Sequence, residues 1–103
     1  MYDIIVIKAD GTEERFSQPK KPVYERLREL VGGSIEYVPH LTKFEGYKRG
    51  EAIVNECGRL NDMQFNAKAT KVWLANLEGK GSLSYEPKLY GDMVYISKQP
   101  KKG

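Results

Sequence analysis

The chain has 103 residues, a formal net charge of +3 and 40% hydrophobic residues, enough for one domain with one core. No run reaches the roughly 20 apolar residues that cross a bilayer, and a single cysteine, Cys57, excludes an intramolecular disulfide framework. We therefore expect a cytoplasmic protein with no membrane association. Three lysines at positions 98, 101 and 102 supply the whole positive excess, which predicts a neutral domain over residues 1–97 and a basic flexible tail over 98–103.

The first part of the chain predicts a hairpin and a helix. Residues 2–8 are apolar on both alternating faces, as in an interior strand covered on both sides. Asp10-Gly11 is a turn signal, and residues 12–16 return as a charged edge strand. Pro22 fits the first turn of a helix, which Gly32-Gly33 ends in a left-handed cap. The predicted buried stripe of this helix consists of Val23, Leu27, Leu30 and Val31.

The second part predicts three more strands and a second helix. Strands are expected at residues 34–38, 51–55 and 93–97. Residues 40–50 have no assigned element and form a long loop or a hairpin tip, with Phe44 and Tyr47 as its anchors. Asn66 is a good N-cap for a helix over residues 67 to about 77, with a buried stripe of Ala69, Val72, Trp73 and Leu77. The pattern predicts a single α+β domain with four or five mostly antiparallel strands and two helices packed on one face of the sheet.

Four short motifs follow one another along the chain: VGGSIE at residues 31–36, NECG at 55–58, NAKAT at 66–70 and GDMV at 91–94. In this order they resemble an uncharacterised family of small phage, plasmid and mobile-element proteins, the domain of unknown function 3846. The resemblance implies a phage or mobile-element origin and action inside a bacterial host, and it implies no reaction. Residues 40–50 and 83–89 depart from the family pattern, so a specialised partner surface is expected there.

Candidate catalytic and metal-binding residues are sparse. His40 and Cys57 are the only strong nitrogen and sulfur ligands in the chain, whereas a closed zinc site usually has four ligands. A cysteine nucleophile also needs a contact between these two side chains, which their positions in the sequence do not indicate. The sequence predicts no enzyme, no metal site and no cofactor.

Aromatic and basic residues are the strongest candidates for a binding site. Aromatics interleaved with cations can stack bases and hold phosphates, and tyrosine and arginine also anchor protein interfaces. The candidate partner-binding residues form two clusters. The first consists of Lys43, Phe44, Tyr47, Lys48 and Arg49. The second consists of Tyr85, Lys88 and Tyr90, and Lys98 is assigned to it as well. Asn66 and Thr70 lie at a predicted helix N-terminus and are candidate anion-binding residues, with capping of the helix as the alternative.

Together these features predict a small non-catalytic phage or mobile-element protein that binds a host protein and inhibits it. A defence component is the expected target, as for an anti-CRISPR or anti-restriction protein. Nucleic-acid binding through residues 43–49 and the tail is one alternative, and binding or sequestering a nucleotide is another. The sequence leaves open the partner, the oligomeric state and the functional surface.

Overall fold

The computed structural model, which describes residues 1–78 and 86–98, contains one antiparallel sheet and two helices. Within these residues the elements are β1 (Tyr2–Ile7), β2 (Glu13–Gln18), α1 (Tyr24–Val31), β3 (Ile35–Tyr37), β4 (Gly50–Asn55), α2 (Ala67–Leu77) and β5 (Met93–Lys98). The strands lie in the order β2-β1-β5-β4-β3, and every neighbouring pair is antiparallel. The predicted single α+β domain is confirmed.

The two helices cover opposite faces of the sheet. Ile4 and Val6 of β1 pack in one core cluster with α1, whereas Ile5 and Ile7 pack in a second cluster with α2. Successive side chains of a strand point to opposite faces, so a central strand that is apolar throughout needs cover on both sides. The prediction of two helices on one face is therefore wrong, and that of a strand covered on both sides is confirmed.

The hairpin and the first helix follow from local signals. The Asp10 carboxylate accepts hydrogen bonds from the backbone N–H and the hydroxyl of Thr12, and the charged strand β2 lies at the sheet edge as predicted. Helix α1 ends at Gly32, whose φ of 80° is left-handed. The assignment of Val23 to the buried stripe is wrong, since this residue is the N-cap and 64% exposed. A cap residue lies outside the helical repeat, so its side chain leaves the stripe.

The last strand extends one residue further than its pattern predicts. Lys98, which the sequence assigned to the tail, pairs with Tyr2 as the last residue of β5. The rest of that tail lies outside the described residues. Neither helix in the described part of the chain is long and apolar enough to cross a membrane.

Candidate functional site

The loop of residues 38–49, which joins β3 to β4, is anchored by its two aromatic residues. Phe44 and Tyr47 are 6% and 8% exposed, and their ring centroids lie 5.4 and 5.9 Å from that of Tyr95 on β5. Their backbones also exchange hydrogen bonds of 3.1 and 2.9 Å. The structure therefore places these two predicted binding residues in the core as the loop's anchors, with only a small part of each side chain exposed on the groove beside α2.

Helix α2 holds the same loop with polar side chains. The Asn76 Oδ1 accepts from the N–H groups of Thr42 and Lys43 at 3.2 and 2.9 Å, and its Nδ2 donates to the Lys43 carbonyl at 2.9 Å. Trp73 Nε1 donates to the Pro39 carbonyl at 2.7 Å. The loop is thus fixed to a helix, so its exposed cations stand on a preorganised backbone.

Two buried phenols complete these anchors. Tyr47 donates its hydroxyl proton to Asp3, whose carboxylate also accepts from the Ser17 hydroxyl at 2.6 Å. Tyr95 donates to the Thr42 carbonyl at 2.7 Å. Burial raises the pKa of Tyr47 to about 12, with the bond to Asp3 as the next cause, and burial likewise raises the pKa of Tyr95 to about 12. Both phenols therefore stay protonated at neutral pH and act as hydrogen-bond donors.

An ion-pair network connects the edge strand β2 to the loop and to α2. Arg15 donates to Glu13 at 2.6 Å and to Glu45 at 2.9 Å, and its guanidinium carbon lies 5.7 Å from the centroid of the Phe44 ring. Lys68 of α2 also pairs with Glu13. The Lys68 and Arg15 hydrogen bonds lower the pKa of Glu13 below its ordinary value, in that order of effect.

Replacing Glu13 with glutamine is expected to lower stability in a pH-dependent way. Because the pKa of Glu13 is lower in the folded state, its contribution is present above the unfolded value of about 4.3 and is lost as the pH falls through the folded value. We expect a loss of about 0.5–1 kcal/mol at neutral pH and none at strongly acidic pH. Urea unfolding at both pH values measures this difference, with Glu36→Gln as the control because Glu36 is exposed. An equal loss at both pH values would contradict the prediction.

A groove of about 510 Å³ runs between the loop of residues 38–49 and helix α2. Val72 and Ala75 of the helix form part of its apolar wall, and Lys43 and Lys48 are exposed on the loop side. We call it the loop groove. Glu45 also lines it but is paired with Arg15. The two lysines therefore give the rim its charge around an apolar interior, the arrangement that suits an apolar side chain flanked by acidic residues.

A second concavity, the basic cleft, lies at the end of the sheet where β1 begins and β5 ends. Its volume is about 430 Å³, and its lining includes four cations and one carboxylate: Lys21, Lys48, Arg49, Lys98 and Glu51. Glu51 pairs with Lys21, whereas the other three cations form no ion pair with a described carboxylate. The cleft therefore carries an uncompensated positive charge on a domain whose overall charge is near neutral.

Arg49 is held at this cleft by its neighbours. Its carbonyl accepts from the Ser97 hydroxyl at 2.9 Å, and the N–H of the following Gly50 donates to the Thr42 carbonyl at 2.9 Å. A Cβ at position 50 would overlap the Tyr95 ring and lie 2.8 Å from the Ile96 carbonyl oxygen. Only glycine lets the chain pass so close to β5, and this passage brings Arg49 to the rim of the cleft.

The two predicted aromatic and basic clusters do not form one surface. Tyr90 precedes β5, with its ring centroid 5.8 Å from that of Phe65, and Lys88 pairs with Glu86 at 3.1 Å. Arg49 lies at the other end of β5, next to Ser97. Lys98, assigned from the sequence to the second cluster, joins the first in the basic cleft, and Tyr85 lies outside the described residues.

The prediction of an anion site at Asn66 and Thr70 is wrong. Asn66 is fully buried, its Oδ1 accepts from the Ala69 N–H at 2.9 Å, and its Nδ2 donates to two carbonyls. Thr70 is also buried, and its hydroxyl accepts from the Leu89 N–H at 2.9 Å. The capping alternative is confirmed, since these side chains are occupied by the protein's own backbone.

His40 and Cys57 lie beyond opposite ends of β4. Val38, two residues before His40, donates its N–H to the Ala52 carbonyl near the start of β4. Cys57 lies two residues after Asn55, the last residue of β4. The chain order therefore separates the only histidine from the only cysteine. Among residues 1–78 and 86–98, no group of three or more His, Cys, Asp or Glu side chains could hold a metal ion.

These features define a small antiparallel α+β domain that presents cations on a fixed loop and in one cleft. A comparison of the chain with protein-family models, curated proteins and solved structures finds no match. The functional argument therefore rests on the sequence and on the geometry of these two surfaces.

Proposed function

We propose that this protein acts by binding, as a small accessory protein of a phage or mobile element that docks on a protein of its bacterial host and inhibits it. The proposed target is a defence component, as for an anti-CRISPR or anti-restriction protein. The resemblance of the four sequence motifs supports the origin and the setting. The loop groove supports the mode of action.

The observation that carries the proposal is the fixed geometry of the loop of residues 38–49. Binding is weakened by the entropy lost when a loop becomes ordered, and this loop is already held by aromatic packing and by the side chain of Asn76. The loop groove beside it offers an apolar wall, and Lys43 stands at its rim. A host protein that inserts an apolar side chain between acidic residues would fit this surface.

Affinity purification of the tagged protein from nuclease-treated bacterial lysate, washed at high salt, tests this function. The expected result is one host protein in stoichiometric amount, which the purified protein binds again in isolation and inhibits. Lys43→Glu is expected to weaken that binding about tenfold, because it places a like charge against the acidic residues of the partner. Lys71→Glu is the matched control, because Lys71 is exposed on α2 and does not line the groove.

Two results would overturn the proposal. One is an eluate with no stoichiometric protein together with no inhibition in restriction and CRISPR interference assays. The other is a captured protein whose affinity falls equally for Lys43→Glu and Lys71→Glu, since a general charge effect would then explain the binding.

A further inference from the structure

The basic cleft concentrates free positive charge from three separate parts of the chain. Lys21 comes from the connector before α1, Lys48 and Arg49 come from the loop of residues 38–49, and Lys98 comes from the end of β5. Glu51 offsets only Lys21. Lys48, Arg49 and Lys98 thus remain available to an anionic ligand. The first two belong to the loop whose backbone is held in place by Asn76, Tyr95 and Ser97.

Two tyrosines accompany these cations on the same face of the sheet. Tyr2 lines the cleft directly. Tyr37 of β3 is paired with Ile53, whose side chain packs on the α1 face, so Tyr37 shares that face with Glu51 two residues before Ile53. Glu51 in turn pairs with Lys21, and this hydrogen bond raises the pKa of Lys21. Tyr37 is 51% exposed, so its side chain is accessible to a ligand.

We propose that the basic cleft binds single-stranded nucleic acid, with Lys48, Arg49 and Lys98 on the phosphates and bases stacked on Tyr37 and Tyr2. Cations along a groove with adjacent aromatic rings are the usual means of binding single strands without sequence preference. This site goes beyond the proposed docking on a host protein and uses a different surface, with only Lys48 common to both.

The shape and chemistry of the cleft favour a single strand over other polyanions. A volume of about 430 Å³ is in the range of sites for small ligands and admits a nucleotide or two, and only a single strand offers unpaired bases to the tyrosine rings. An acidic peptide would satisfy the cations and leave the tyrosine rings without a stacking partner. The Glu51 carboxylate also favours a ligand that carries hydrogen-bond donors, such as the N–H groups of bases.

Fluorescence anisotropy with a labelled oligothymidylate of about 12 nucleotides tests the proposal on the full chain. Three phosphate contacts predict a slope of about −2 in log affinity against log salt, or a loss of about 20-fold between about 50 and 200 mM salt. A salt-independent signal, or no saturable binding at the lower salt concentration, would overturn it. Competition with unlabelled thymidine monophosphate and with oligoglutamate identifies the class of ligand. If either competitor displaced the labelled oligonucleotide as well as the unlabelled oligonucleotide does at the same concentration, the proposal would also be overturned.

Charge-matched variants locate the site. Arg49→Glu and Lys98→Glu are each expected to weaken binding about tenfold and to reduce the salt slope by about 0.7, while Lys71→Glu changes the net charge equally and should have little effect. Tyr37→Ser is expected to weaken binding at least about fivefold through lost stacking. Equal losses for Arg49→Glu and Lys71→Glu would assign the binding to overall charge and contradict the cleft. Lys43→Glu, which changes only the loop groove, should leave oligonucleotide binding intact, so this proposal and the host-protein proposal succeed or fail separately.

Discussion

Replacing Asn66 with alanine is expected to lower the free energy of unfolding by about 3 kcal/mol or more. Asn66 is fully buried, and its side chain caps α2 through the Ala69 N–H. Its Nδ2 donates to the carbonyls of Ile7 and Gly91 at 2.8 and 2.9 Å. The loss of an N-cap costs about 1 kcal/mol, and each buried carbonyl left without its donor costs about 1–3 kcal/mol. Such a loss is a large part of the roughly 5–15 kcal/mol that stabilises a domain of this size.

Asn66→Asp separates the two roles of this side chain. Aspartate keeps the acceptor that caps the helix and suits its N-terminus, but it offers no donor to Ile7 and Gly91. We therefore expect Asn66→Asp to destabilise the protein nearly as much as alanine does, in urea unfolding monitored by the fluorescence of Trp73. Asn61→Ala, in an exposed loop, should stay within about 0.5 kcal/mol of the wild type. An aspartate variant as stable as the wild type would show that the cap alone accounts for the contribution of Asn66.

Asn66 also marks how far local sequence signals extend. Its position before the apolar stripe of α2 predicted the cap, which needs only residues within one helical turn. Its bonds to Ile7 and Gly91 link α2 to β1 and to the approach to β5, over separations of 59 and 25 residues. Nothing in the spacing of these residues indicates such contacts. An asparagine that only caps a helix and one that also joins the helix to two strands have the same local sequence pattern, so the sequence does not tell them apart.

The strands were predictable because their signals are local, and the placement of the helices was not. The alternation of residues 2–8 and the Asp10-Gly11 turn predicted the first hairpin, and the charged residues of its second strand predicted that this strand lies at the sheet edge. The same alternation indicated that both faces of β1 must be covered, which conflicts with two helices on one face. The pattern within a helix shows which of its sides is buried, but it does not show against which face of the sheet, and here the connections bring α1 and α2 to opposite faces.

The candidate surfaces were only partly predictable for a related reason. Lys48 and Arg49 were found because charged residues next to aromatics stand out in the sequence. Tyr2 and Lys21 were missed, since only the order β2-β1-β5-β4 brings the first strand and its connector to the loop. Phe44 and Tyr47 were predicted both as binding residues and as anchors of the loop, and the structure confirms that they anchor it. The Tyr95 ring of β5, against which both pack, lies about 50 residues further along the chain.

Tyr95→Ala is expected to have an effect as large as that of Asn66→Ala and to loosen the candidate site as well. Tyr95 is fully buried on the α2 face, where its ring contacts Phe44 and Tyr47 and lies beneath Gly50. Removing a large aromatic side chain from a core costs about 3–5 kcal/mol. Since the same ring anchors the loop of residues 38–49, we expect the backbone amides of Phe44 and Tyr47 to exchange with solvent faster.

Tyr95→Phe shows whether the ring or the hydroxyl carries this effect. Phenylalanine keeps the packing against Phe44 and Tyr47 and loses the hydrogen bond to the Thr42 carbonyl. We therefore expect a loss of about 1 kcal/mol, with amide exchange in the loop close to that of the wild type. Urea unfolding and hydrogen exchange measure the two quantities on the same samples. If Tyr95→Phe loosened the loop as much as Tyr95→Ala, the hydroxyl would be its main anchor. If neither variant changed exchange in the loop, Asn76 and Trp73 would hold it alone, and Arg49 would keep its place at the basic cleft without the aromatic cluster.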